Sequence, residues 1–245
     1  MDQPNLFAAP THDDIPPYRT RISRRARRLQ MRVMPDGELE LIVPHRCNRA
    51  HIPAFLHQFR DWIQERQAEA TRRRQRHPEL YETRPERLQL RTLQQCWQIR
   101  YVDDARRLSM DITKTVLNLP DDGTHTTQQR LQRWLNKQAL KALTPAMNTL
   151  CAETGLCYEN LQIRGQKTRW GSCSYRGQIN LNRGLLFLPP ELTHYILVHE
   201  LCHTRYPNHS APYWRLVERV EPDYRRLDAA MRQAGRYVPL WVYSG

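Results

Sequence analysis

Residues 196–214, "ILVHELCHTRYPNHSAPYW", restrict the fold more than any other stretch of the chain. His199 and His203 stand four residues apart at the end of an apolar run. An α-helix brings such a pair onto one face, about 6 Å apart along its axis, where two imidazoles can grip one ion. Glu200 is offset by one residue, so it points beside the ion and can hydrogen-bond a water there without being a ligand. "TRYPN" ends the helix at Pro207 and turns the chain, which lets His209 fold back toward the pair as a third ligand.

This is the H-E-x-x-H pattern of zinc hydrolases, which makes Zn2+ the expected cofactor, and the count to His209 equals the metzincin spacing. Tyr206 stands where that spacing has a turn glycine. A left-handed turn there is costly for tyrosine, so a different return path is expected. Glu218 or Glu221 on the next helix is the rival third ligand. A purely structural reading has the histidines at a helix C-terminus, where the dipole favours imidazolium. Three of them around one glutamate favour the metal.

The rest of the chain can support such a site. Its 245 residues, 40% hydrophobic and 26% charged, argue against wholesale disorder and allow two parts with their own cores. The longest apolar runs fall far short of the roughly 20 residues that span a membrane. The start, "MDQPNLFAAPTHDD", has neither a basic beginning nor an apolar stretch of signal-peptide length, so a cytoplasmic location is expected. Cys47, Cys96, Cys151, Cys157, Cys173 and Cys202 form no C-x-x-C pair, which suits reduced thiols. A net charge of +13, with four lysines among 38 basic residues, would attract polyanions such as nucleic acid or nucleotides. The bland alternative is an arginine-rich solvated surface. "RISRRARR" and "RRRQRH" carry no interleaved aromatic residues for stacking on bases.

The patterning predicts an α+β fold. Residues 1–17, rich in proline and polar groups, read as a disordered tail. Leu29, Met31 and Val33, then Leu39 and Leu41 beyond a "PDG" turn, alternate as a β-hairpin. A helix follows from about Asn48, with Ile52, Phe55, Phe59, Trp62 and Ile63 at helical spacing. "LQLRTLQQCWQIRYV" and "RRLSMDITKTVLNLP" read as strands flanking a turn at Asp103 and Asp104, completing a small α+β part over 18–120. A second part, 126–240, opens with a long helix that a capping box at Thr126 and Gln129 would start, with Pro145 inside and Gly155 as its stop. Short strands then turn at Gly177, and the histidine helix begins near Pro190.

Two stretches flank the histidines. Tyr213, on the helix after Ser210, could donate to a developing oxyanion, or be simply core. "RGQKTRWGSCS" concentrates Arg164, Lys167 and Arg169 ahead of Trp170 and Gly171. Bordering the cleft, those cations would bind a substrate's carboxylate or phosphate, and the strand backbone would pair with an extended peptide. Otherwise they mark a solvated strand edge.

The ordered motifs "KTRWGSCS", "GQINLN", "LLFLPPEL", "HELCH", "NHSAPYW" and "EPDY" resemble the YgjP-like metal-dependent hydrolases, zincin-like zinc metallopeptidases related to the SprT-like and WLM proteases. The resemblance extends loosely upstream over most of residues 20–235. It implies a zincin-like C-terminal metallopeptidase domain of helices and a short antiparallel sheet. It also implies His199, His203 and His209 as metal ligands and Glu200 as the catalytic glutamate.

The expected function is therefore zinc-dependent hydrolysis of a peptide or protein substrate, with Glu200 as general base. One alternative is hydrolysis of a nucleotide phosphoanhydride, with Arg164, Lys167 and Arg169 on the phosphates. The other is a nucleic-acid-associated protease or binding module.

Overall fold

The computed structural model describes residues 16–103 and 107–243. Residues 1–15 of the tail expected over 1–17, and Asp104 of the turn expected at Asp103 and Asp104, lie outside the described residues. The chain divides into two compact units, Met1–Tyr81 and Glu82–Gly245.

In the first unit the hairpin forms as expected. β2 (Gln30–Val33) and β3 (Leu39–Pro44) pair antiparallel around Gly37, whose φ of 91° suits a residue without a side chain. β1 (Tyr18–Ser23) joins the other side of β3 in parallel, giving the order β1-β3-β2. Leu39, Leu41 and Val43 point inward at every second position, against Ile52, Leu56 and Ile63. Those three come from α1 (Ile52–Gln58) and α2 (Arg60–Arg76), which replace the single expected helix because the chain leaves helical geometry at Phe59. The Asn48 side chain accepts from the Ala50 N–H just ahead of them.

The second unit begins with a sheet of order β4-β5-β7-β6, comprising β4 (Arg87–Leu90), β5 (Gln95–Val102), β6 (Ser109–Asp111) and β7 (Val116–Pro120). The first expected strand is folded back on itself at Arg91–Leu93, with Gln94 in left-handed geometry at φ 52°. This sheet was expected to belong with the hairpin in 18–120. It packs instead on α3 (Thr124–Thr154), sharing a core through Leu88, Trp97, Ile99, Leu131 and Leu135, with Trp97 and Trp134 edge to face at 5.2 Å. The expected capping box does not form. The helix starts two residues earlier, after Gly123, and Thr127 returns its hydroxyl to the Pro120 carbonyl at 3.3 Å. Pro145 lies within the helix and Gly155, at φ 71°, ends it.

β8 (Asn160–Arg164), β9 (Gly171–Cys173) and β10 (Gln178–Asn182) form the third sheet, in the order β8-β10-β9. The expectation of an antiparallel sheet is corrected here. The β9–β10 hairpin turns at Gly177 and inserts β10 beside β8 in parallel, so the sheet is mixed and β9 is an edge. α4 (Pro190–Cys202) packs against β9, and α5 (Ala211–Val220) and α6 (Tyr224–Met231) pack on α4. The small sheets and helices make the fold α+β, with the apolar α4 buried through Leu192, Ile196, Leu197, Val198 and Leu201. Among the described residues no helix is long and apolar enough to cross a membrane. All six cysteines are free thiols.

Candidate metal centre

His199 lies in the last turn of α4 and His203 caps it, so their rings share a face as the spacing requires, 4.9 Å between centroids. The chain then returns without left-handed geometry at Tyr206, confirming that the path differs from a glycine turn. Tyr206 instead turns its carbonyl onto Nδ1 of His203 at 2.9 Å. That bond places the His203 proton on Nδ1 and leaves the Nε2 lone pair facing the centre.

His209 arrives from the loop before α5. Its Nε2 lies 3.2 Å from Nε2 of His203 and 3.2 Å from Nε2 of His199. The three histidines thus offer ligand atoms within 4.8 Å of one another. A tetrahedral ion with Zn–N bonds of 2.0–2.1 Å needs its nitrogens about 3.3 Å apart, so the donor set fits a zinc-sized ion. Hydrogen bonding alone does not account for the cluster. His209 can place one proton at Nε2 and satisfy one neighbour, which leaves a lone pair unmatched.

Aromatic packing holds two of the rings. His203 stacks on Tyr213 at 4.4 Å and 19°, and His209 on Trp214 at 5.5 Å and 21°. Tyr213 is fully buried, and its hydroxyl donates to the His199 carbonyl at 3.1 Å. It therefore supports the site from beneath, and the expected substrate-binding role gives way to the core alternative. Glu218 and Glu221 stand elsewhere, Glu218 paired with Arg225 at 2.7 Å and Glu221 near His194 at 3.8 Å. Neither is among the groups that converge with the histidines.

Glu200 is 5% exposed, and its Oε2 is buried without a partner among the described residues. A buried unmatched carboxylate oxygen calls for an explanation, and a neighbouring cation with its water supplies one. The side chain is accommodated by β9. A Cβ on Gly171 would stand 2.4 Å from Oε1 and 2.6 Å from Cγ of Glu200, so only glycine lets the carboxylate lie against that strand. This role of Gly171 was not foreseen; a glycine ahead of "SCS" carries no periodicity to betray a contact made in three dimensions.

The loop of residues 165–170 is pinned by Asn182, which is 2% exposed. Its Nδ2 donates to the carbonyls of Gln166 at 2.6 Å and Arg169 at 2.8 Å, while Oδ1 accepts from Gly184 N and from Tyr243. Asn182 was also missed, since a buried amide staple has no local spacing signature. Of the three expected cations, Lys167 and Arg169 are exposed on this loop. Arg164 is on β8, the far edge from β9, with its guanidinium donating to Asn180 and Gln162. The set is not brought together as one phosphate cradle.

In the metal-free protein, burial and the charges of His203 and His209 push His199 down to about 3, and burial pushes Glu200 up to about 8 against the opposing pull of Arg169. The two act in opposite senses on stability. A lowered histidine contributes fully above its ordinary value of 6.5 and is lost as pH falls toward about 3; a raised glutamate contributes fully below 4.5 and is lost as pH rises toward about 8. His203 is lowered as well, chiefly by burial, so the two histidines outweigh the glutamate below 6.5 and the glutamate acts alone above it. Thermal unfolding of chelated protein is therefore expected to show a maximum near pH 6.5 and a fall on either side. The alkaline fall disappears in Glu200→Gln; its persistence would show that another group causes it.

The three imidazoles beside a buried glutamate, under the edge strand of a mixed sheet, can hold a zinc-sized ion. The chain belongs to the YgjP-like family: the model described as "YgjP-like, metallopeptidase domain" matches residues 27–234. Solved structures similar to parts of the chain include two metallopeptidase zymogens. Abylysin of Pyrococcus abyssi is 29% identical over 38% of this chain and 94% of its own, with a TM-score of 0.33. Jannalysin of Methanocaldococcus jannaschii is 21% identical over 37% and 93%, with a TM-score of 0.34. No curated protein matches the chain.

Proposed function

We propose that the chain is a zinc peptidase in which His199, His203 and His209 hold the ion and Glu200 is the general base. The observation that carries this reading is the pair of 3.2 Å approaches among the three Nε2 atoms, with Glu200 seated beside them. Zinc held there would supply Lewis acidity, making a water more acidic and a carbonyl more electrophilic. Glu200 accepts the proton of the attacking water on its carboxylate and hands it to the leaving amine. Stacking on Tyr213 and Trp214 keeps the imidazoles oriented, so the ligand geometry is set before substrate arrives.

β9 pairs with β10 on one side only, and its other edge carries backbone groups able to bind an extended peptide in register beside Glu200. Lys167 and Arg169, on the loop leading into that strand, favour acidic groups on the substrate. Six free thiols fit a reducing cytoplasm.

Elemental analysis of protein purified without a metal-binding tag is expected to find about one zinc per chain, and an unstructured protein such as casein to be cleaved. Protein that neither carries nor takes up zinc would overturn the site. Zinc-loaded protein that hydrolyses nucleoside triphosphates and leaves casein intact would overturn the peptidase assignment.

A further inference from the structure

Sequence alone leaves the basic segments of the first unit 17 residues apart; the fold joins them. β1 and β3 run parallel with Ser23 opposite Pro44, so the loops that leave both strands emerge at the same end of the sheet. One carries Arg24, Arg25, Arg27 and Arg28, the other His45 and Arg46. Backbone bonds fix them together. His45 N donates to the Ser23 carbonyl at 3.2 Å, and Ala26 N donates to Ser23 Oγ at 3.1 Å.

Between the loops is a groove of about 690 Å³, lined by Arg24, Arg27, Arg28, His45 and Arg46 with the small or apolar Ala26, Leu29, Pro44 and Cys47. Among the described residues no acidic one lines it. Acids of the same unit pair with other arginines: Glu38 with Arg19, Glu40 with Arg32 and Arg21, Glu69 with Arg66. Among the described residues the four groove arginines form no ion pair. Four guanidinium groups gathered without counter-charge repel one another, and a bound polyanion relieves that cost.

We infer that this groove binds the phosphate backbone of nucleic acid without reading its sequence. The lining favours a repeating polyanion over a single nucleotide, because among the described residues it has no Phe, Tyr or Trp ring for a base and no side-chain carboxylate or amide to meet a base edge. Arginine forks suit successive phosphate oxygens. The site lies outside the metal centre and its chemistry does not depend on it.

The test uses full-length, zinc-loaded protein and a fluorescent random duplex of about 20 base pairs, titrated over a series of salt concentrations. The groove variant is Arg27→Gln, Arg28→Gln, Arg46→Gln. A charge-matched control carries Arg225→Gln, Arg226→Gln, Arg236→Gln on the second unit. Thermal unfolding and zinc content of both check that folding is intact. The wild-type protein should bind with an affinity that falls steeply with salt; the groove variant should lose about tenfold or more at low salt and flatten the log–log slope by about 2–3, one phosphate contact per arginine. The control should stay near wild type. Equal weakening in both variants would reduce the effect to net charge and overturn the groove. So would the absence of duplex binding at low salt, or binding only to a mononucleotide or to anionic vesicles.

Discussion

Glu200→Gln is expected to lower turnover of a protein substrate by about 10²–10⁴-fold while zinc content stays at the wild-type level. Glutamine has the same shape as glutamate, so it fits the space that Gly171 leaves against β9. What it loses is the ability to accept a proton from the attacking water. Replacing a buried carboxylate whose Oε2 has no partner among the described residues with an amide also removes a desolvation cost, so the variant should be at least as thermally stable as wild type above pH 6.5 in its metal-free form. Steady-state kinetics beside elemental analysis decide the matter. Comparable turnover in the variant would refute the general-base role.

Gly171→Ala should cut kcat by about 10²-fold, again with zinc retained. Gly171 does not have the positive φ that strains other residues, so the backbone itself tolerates alanine. The new methyl group collides with the Glu200 side chain, which must move on the order of 1 Å to restore normal contact. Gly235 provides the control, because a Cβ there meets nothing within 4 Å. A purely structural role for Gly171 is separated from a positioning one by the double variant. If the glycine acts only through the glutamate, Gly171→Ala should cost little further activity once Glu200 is glutamine. Additive losses, or loss of zinc, would show that the strand itself had been disrupted.

The elements legible in the sequence were those set by local spacing. The His199/His203 pair, the proline that releases the chain toward His209, the hairpin at Gly37 and the stop at Gly155 each rest on interactions within a few residues. Their geometry follows from helical pitch and from the steric freedom of glycine. The capping box at Thr126 was a local expectation that failed. The chain from Pro120 to Thr127 makes a different hydrogen bond, which lets the helix begin at Thr124. The grouping of β4 to β7 with the N-terminal hairpin was legible only as sequence proximity, and the faces of Trp97 and Trp134 decided otherwise.

What the sequence by itself determined is which groups meet: three convergent imidazoles with a glutamate beside them, in a register dictated by one helix and one turn. Tertiary structure alone decided how they are supported. The fit of Glu200 against Gly171 joins residues 29 positions apart, and Asn182 ties its loop through carbonyls that any residue could present. The basic groove arises because β1 pairs parallel with β3, a choice of neighbour made by long-range packing. Periodicity records which face of an element is apolar; it does not record which element that face will meet.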